Sequence, residues 1–270
     1  MFTDAIPLAL TNSVLMLFIV SLLWVISRLI KDPSFIDSFW SLGFLIVTVV
    51  SFLVSGQLME PQLTLQKLLL VMVVLWSLRL SGHLFIRWRK EGLDKRYATM
   101  LKRWEGKEAL YSYLYIFILQ GALIIIISAP LQWVMIETIP VAWTPLTITA
   151  VGLFAFGLLF ETIGDAQLTD FKADPANKGK VMDKGLWRYT RHPNYFGDAC
   201  VWWGFYLLSL ETSFGVYSLF APIIMTFLLT KVSGVPLLEH GLKKHRPDYA
   251  DYIKRTSGFI PMPPKAKEKD

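Results

Sequence analysis

One cysteine, Cys200, stands alone among 270 residues. That excludes a disulfide framework within the chain and any site built from several thiolates, and it predicts a small buried residue inside a helix. Histidine is nearly as scarce. The four present, His83, His192, His240 and His245, are scattered over three regions without H-E-x-x-H or a similar spacing, so no dedicated transition-metal site is expected. No G-x-G-x-x-G follows a strand-like run and no Walker loop is present, which removes Rossmann and P-loop nucleotide binding; G-x-S-x-G is missing too, which argues against a serine hydrolase of that class. The alternation that would mark the strands of a membrane barrel is absent.

Charge is thin at 18% of residues, and what fills the gaps is apolar: 54% hydrophobic and 14% aromatic. A soluble domain of this length does not carry that excess. Seven runs, approximately 8–30, 35–55, 64–86, 110–136, 143–165, 195–211 and 214–231, are each near the length that crosses roughly 30 Å of hydrocarbon as helix. Lipid offers the backbone no partners, so the runs are predicted as helices, the last two as a hairpin. The first reaches spanning length without a cleavage-like site and is expected to be retained. The expected fold class is all-α: a polytopic, seven-helix membrane bundle forming one domain over 1–264, with a charged, disordered tail at 265–270.

Positive charge is placed unevenly. All 27 lysines and arginines except Lys67 and Arg79 fall in the connections after the first, third and fifth runs or in the carboxyl-terminal tail. By the positive-inside rule those segments are cytoplasmic and the amino terminus faces the other side. The net charge of +6 follows from this topology and from attraction to anionic headgroups. No nucleic-acid motif accompanies it.

The connection after the fifth run carries more than topology requires. It reads D-A-Q-L-T-D-F-K from Asp165 and G-L-W-R-Y-T-R-H-P-N-Y-F-G-D from Gly185. Arg188, Arg191 and His192 are donors suited to phosphate, Asn194 both donates and accepts, and Tyr189 and Tyr195 can stack on a flat heterocycle. Pro193 pushes the preceding residues out of helix, so a helix begins near Asn194 with its free N–H groups facing the loop. The bland alternative has the basic residues snorkelling to headgroups while Asn194 caps. The set of donors and rings fits a nucleotide-type cofactor, and Glu161, Asp165 and Lys172 bordering the loop, with Glu239 and Tyr252 in the tail, are expected to join it; Asp198 is a further candidate for holding amines, ribose hydroxyls or basic side chains. Tyr249, Tyr252 and Phe259 are expected either as a lid over the loop or as an interfacial aromatic belt. In the fifth run Gly152, Gly157 and Gly164 suit close helix contact.

Within the third run, Trp76, Arg79 and His83 share one helical face. Ionisable groups at membrane depth point to a cavity or a partner, and Asp37, entering from the same side, is the expected partner of Arg79. Either an ion pair fixes packing there, or Asp37, Arg79 and His83 polarise and protonate a substrate.

With these residues in view the chain resembles the steroid 5-alpha-reductase superfamily, in a bacterial branch. The likeness runs along essentially the whole chain and is most specific from Glu161 to Pro261. It implies a seven-helix membrane enzyme, in a bacterium an inner-membrane one, that reduces an activated carbon–carbon double bond of a steroid-like or other apolar lipid with NADPH. It further implies cofactor roles for Asp165, Lys172, Tyr189 and Asn194, supported by Arg188, Arg191 and His192, and no obligate protein partner. Where that superfamily uses a glutamate on the second span and a tyrosine on the third, this chain has Asp37 and no tyrosine. The R-H-P-x-Y element is also similar to isoprenylcysteine methyltransferase-like enzymes, which implies S-adenosylmethionine as the alternative cofactor. A transporter or receptor without turnover is the remaining class.

Overall fold

The computed structural model describes residues 2–56, 61–232 and 248–265. Among them every regular element is helical. Six helices are long and apolar enough to cross a membrane: Ile6–Ile30, Ile36–Val54, Leu65–Glu91, Glu108–Ile127, Pro145–Ala173 and Gly215–Val232. The chain is a polytopic membrane protein. It divides into two compact units, residues 1–142 with 208–218 and residues 143–207 with 219–270.

The first unit holds α1 (Phe2–Ile30), α2 (Ile36–Val54), α3 (Leu65–Glu91) and the short α4 (Lys95–Arg103). Then come α5 (Glu108–Ser112), a π-turn (Tyr113–Ile118), α6 (Leu119–Ile127) and α7 (Ala129–Ile136). Small hydroxyl residues let α2 and α3 approach closely: Ser41 donates to the Ser77 carbonyl at 3.1 Å and Ser81 to the Ser38 carbonyl at 2.7 Å. Hydroxyl-to-carbonyl bonds of this kind hold helices together where burying apolar surface offers no advantage over lipid. Below them Phe44 leans on Trp76, with ring centroids 6.0 Å apart. Asn12 ties three helices by donating to Ser51 of α2 at 3.0 Å and Gln132 of α7 at 3.1 Å. Large apolar side chains face outward along α1, Val14, Phe18 and Leu29 among them, as lipid-facing positions do.

The run expected as one span over 110–136 is broken. The helix stops at Ile127, and α7 restarts at Ala129 with Pro130 in its first turn. Proline has no N–H to give the preceding turn, and its ring displaces the chain. Ser128, donating to the Ile125 carbonyl at 2.8 Å and accepting from Gln132 at 2.9 Å, occupies the break.

The second unit is built on α8 (Pro145–Ala173), started by Thr144 accepting from the Thr147 amide with Pro145 in the first turn. Two 3₁₀ turns follow, Pro175–Asn177 and Gly185–Arg188, then α9 (Pro193–Ser209), α10 (Phe220–Phe227) continued by a π-turn to Val232, and α11 (Tyr249–Arg255). The sixth expected span is α9, which at 17 residues is shorter than the other candidates.

α8 and α9 run antiparallel in near backbone contact. A Cβ on Gly157 would lie 2.5 Å from the Gly197 carbonyl oxygen, and one on Gly197 would lie 2.5 Å from the Glu161 nitrogen. One turn further, Gly164 meets the Pro193 ring, and at the other end Gly204 meets Ala150 and Phe154. Of the three glycines expected to serve packing, Gly157 and Gly164 do. Gly152 faces open space.

Candidate functional site

The close crossing of α8 and α9 brings two of the singled-out polar residues together. Asn194, in the first turn of α9, donates to Asp165 of α8 at 3.0 Å, and Glu161 lies one turn away, 2% exposed. The Asn194 Oδ1 is buried and has no hydrogen-bond partner among the described residues, an arrangement that suits a donor from a bound molecule. Asp198, also buried, follows one turn later.

The G-L-W-R turn is shaped by its first residue. Gly185 has φ of +57°, and a Cβ there would strike the Gln167 side chain, whose Oε1 accepts from the Leu186 amide at 2.9 Å. Trp187 then turns inward and donates from its indole to the Gly164 carbonyl at 2.9 Å. Arg188 and Tyr189 stay exposed. Thr190 is buried and donates to the Phe259 carbonyl at 2.8 Å, and His192, also buried, stacks its ring on Tyr195 at 5.4 Å.

The carboxyl-terminal tail lies along this turn. The Arg191 amide donates to the Ser257 carbonyl, the Met262 amide to the Tyr189 carbonyl and the Tyr252 hydroxyl to the Trp187 carbonyl. Tyr249 and Tyr252 are buried, 3% and 2% exposed, which decides against an outward-facing aromatic belt. Burial, with Tyr249 beside it, pushes the Tyr252 hydroxyl above the usual tyrosine range. Tyr252 therefore anchors the tail and presents no ring to a ligand. Arg191, expected to point at phosphate, donates instead from Nη1 to the Thr256 carbonyl at 2.6 Å and the Ile253 carbonyl at 3.3 Å.

Between turn and tail lies an open cleft of about 510 Å³, lined by Lys184, Arg188, Arg255, Lys265 and Asp183. Arg255 bonds Asp183 at 2.7 Å and Asp251 at 3.1 Å, and the Asp183 bond holds its guanidinium more firmly protonated than usual. Four cationic side chains against one lining carboxylate make this an anion-attracting surface. Of the expected cofactor residues, Arg188 lines it. Lys172 is exposed on the last turn of α8, and Glu239 lies outside the described residues.

The first unit gathers a second polar cluster. Asp37, in the first turn of α2, accepts from Arg96 at 2.7 Å and from the Tyr97 hydroxyl at 2.5 Å, and Gln120 donates to the same hydroxyl at 3.2 Å. The expected Asp37–Arg79 pair thus gives way to an Asp37–Arg96 pair, because Asp94 caps α4 and turns Arg96 back toward α2. Arg79 and His83 sit half-buried on α3 beyond the fully buried Trp76. Burial foremost, then the Asp37 charge, raises the Tyr97 hydroxyl well above the usual tyrosine range, so it holds its proton at neutral pH. Burial works against the Asp94 carboxylate, yet hydrogen bonds and charge from Arg96, with Arg87, bring it below the ordinary value. Arg96, Tyr97 and Gln120 were hidden in the sequence; a tyrosine three residues beyond the acidic N-cap Asp94 was the available signal.

Residues 23–256 match the family described as "Protein of unknown function (DUF1295)". The chain belongs to that family. The chain is similar to an uncharacterized protein of Schizosaccharomyces pombe, 26% identical over an alignment of 226 residues that covers 72% of this chain. The chain spans 62% of that relative's length. No solved structure matches it significantly.

Proposed function

We propose that this DUF1295 member is a membrane reductase that uses NADPH to saturate a carbon–carbon double bond conjugated to a carbonyl in a steroid-like or other apolar lipid. The carrying observation is the cleft rimmed by Lys184, Arg188, Arg255 and Lys265. A dinucleotide bears phosphates that such a rim attracts, whereas the sulfonium of S-adenosylmethionine favours aromatic and acidic surroundings. The likeness of the R-Y-T-R-H-P-N-Y segment to the steroid 5-alpha-reductase superfamily supports the same reading. So does exposed Tyr189, free to stack on a base. In this reading α9 completes a seven-span bundle in a bacterial inner membrane, with the basic connections and tail cytoplasmic.

When bound, the reduced nicotinamide supplies a hydride to the β-carbon of the substrate. The chain supplies the rest. Arg188 and Lys265 bind phosphate oxygens, while Asp165 holds Asn194 so that its Oδ1 accepts a donor of the cofactor. In the first unit Tyr97 spends its proton on Asp37 and accepts from Gln120, while Arg96 balances the Asp37 charge. The α-carbon takes its proton from water, leaving a saturated ketone.

The test is equilibrium binding of NADPH, NADH and S-adenosylmethionine to the full chain in detergent, followed by turnover of enone lipids. NADPH binding that weakens roughly tenfold to hundredfold in Arg188→Ala at low salt, with the difference from wild type shrinking as salt rises, supports the reductase. Unchanged NADPH affinity in that variant sinks it, and binding of S-adenosylmethionine alone moves the protein to the methyltransferases.

A further inference from the structure

Arg191 occupies the centre of the segment that most suggests a phosphate site, yet it is not among the residues lining the cleft. Its guanidinium donates to the Thr256 and Ile253 carbonyls, which close the last turn of α11. Its own amide adds a bond to the Ser257 carbonyl at 2.9 Å, and a Cβ on Gly258 would lie 3.2 Å from its Nη2. A cation donating to the end carbonyls of a helix satisfies groups that otherwise face water. It also fixes where that helix stops.

Two residues of the cleft hang from that point. Arg255 is the last residue of α11, directly before Thr256. Lys265 is tied to it, because its amide donates to the Arg255 carbonyl at 2.9 Å. Between them the tail is stitched to the turn by Thr190 to Phe259 and by Met262 to Tyr189. The Arg255 end of this set lies within the stretch Ile253 to Ser257 that Arg191 grips, and the Phe259 and Met262 contacts follow directly after it.

We infer that Arg191 is a positioning residue: by binding the carbonyls at the end of α11 it sets Arg255 and Lys265 at the rim of the cleft, and the cleft's affinity for a phosphate-bearing nucleotide depends on it without contact. The ligand class rests on the reductase reading; the tether does not. A direct phosphate contact and a tether differ in how they combine with other changes. Where Arg191 binds phosphate itself, removing it and removing Lys265 cost affinity independently. Where it only places the tail, removing Lys265 and Arg255 first leaves little for Arg191 to do.

The experiment has two arms on the full chain in detergent. The first measures NADPH affinity by calorimetry for wild type, Arg191→Ala, Arg191→Lys, the Arg255→Ala/Lys265→Ala pair and that pair combined with Arg191→Ala. The expected result is a loss of roughly tenfold or more in Arg191→Ala, partial recovery in Arg191→Lys, and no further loss when it joins the pair. Additive losses overturn the inference. The second arm follows amide hydrogen exchange of residues 249–265 without ligand, expected to quicken in Arg191→Ala, the Met262 and Lys265 amides included, while α8 stays protected. Unchanged protection of the tail also overturns the inference. Should wild type fail to bind NADPH, the reductase reading fails, and the exchange arm decides the tether by itself.

Discussion

Replacing Gly197 with alanine places a methyl group 2.5 Å from the Glu161 nitrogen, 2.6 Å from the Gly157 oxygen and 2.8 Å from the Glu161 Cβ. Ordinary contact distances are about 3.5–4.0 Å, so α8 and α9 must part by about 1 Å. The two nearest atoms are helical backbone, which cannot swing aside as a side chain can. Overpacking of this kind costs about 1–3 kcal/mol. Gly152→Ala on the same α8 helix supplies the contrast: its Cβ meets nothing within 4 Å. There the removal of glycine's backbone freedom stabilises by about 0.5–1 kcal/mol. The two variants are thus expected to differ by about 1.5–4 kcal/mol, or roughly 3–16 °C in apparent Tm. Thermal unfolding in one detergent, followed by far-ultraviolet circular dichroism, reads the difference. Gly157→Ala should resemble Gly197→Ala, and the double variant should cost less than the two together, since one separation of the helices relieves both clashes. Equal stability of Gly197→Ala and Gly152→Ala would refute the close crossing and the placement of Asn194 against Asp165 with it.

Three further outcomes follow from individual bonds. Trp187→Phe keeps the buried ring but removes the donor to the Gly164 carbonyl, and a loss of about 1–3 kcal/mol is expected in the same unfolding assay. Asp94 is held below its ordinary value of 3.8, so its contribution to stability is complete above that pH and fades as pH falls through the lower folded value. Asp94→Asn, which still caps α4, should show a flatter acid limb when unfolding is followed from neutral pH downward. Tyr97 is shifted the other way, so its contribution is complete below the ordinary tyrosine value of 10.0 and declines as pH rises above it. Tyr97→Phe should remove that alkaline decline when unfolding is followed upward from neutral pH, and a decline that persists in the variant would place its origin elsewhere.

Helices that cross lipid are legible because composition and length determine them with little help from neighbours, and α1, α2, α3 and α8 fall where apolar runs predict. The start of α9 at Pro193 was legible for a local reason, the restriction proline imposes on the residue before it. The break at Ser128 is not legible from hydropathy, although the sequence there is S-A-P, because uniform apolar content masks a proline whose effect is geometric. The Asp37 cluster was illegible in a deeper sense. Arg96 reads in sequence as one more positive charge in a basic connection, and only the turn capped by Asp94 brings it to Asp37. A charge pattern signals sidedness; it does not say which member of the pattern has a partner.

The same ambiguity runs through the segment Trp187 to His192, and there the structure resolves it by alternation. Trp187, Thr190 and His192 are buried and Arg191 is engaged with carbonyls, while Arg188 and Tyr189 are exposed. Read as a row of donors, the segment offers two arginines and a histidine to an anion. Read with its contacts, most of it is framework: the indole holds the turn to α8, Thr190 and Arg191 hold the tail, and His192 stacks on α9. What remains for a ligand at the turn is one guanidinium and one phenol ring, and the other cations of the cleft come from Lys184 and from the tail. A site assembled this way depends on the tail's register as much as on the motif. Changes in residues 249–265 that leave the motif intact are therefore expected to move cofactor affinity as far as changes within it.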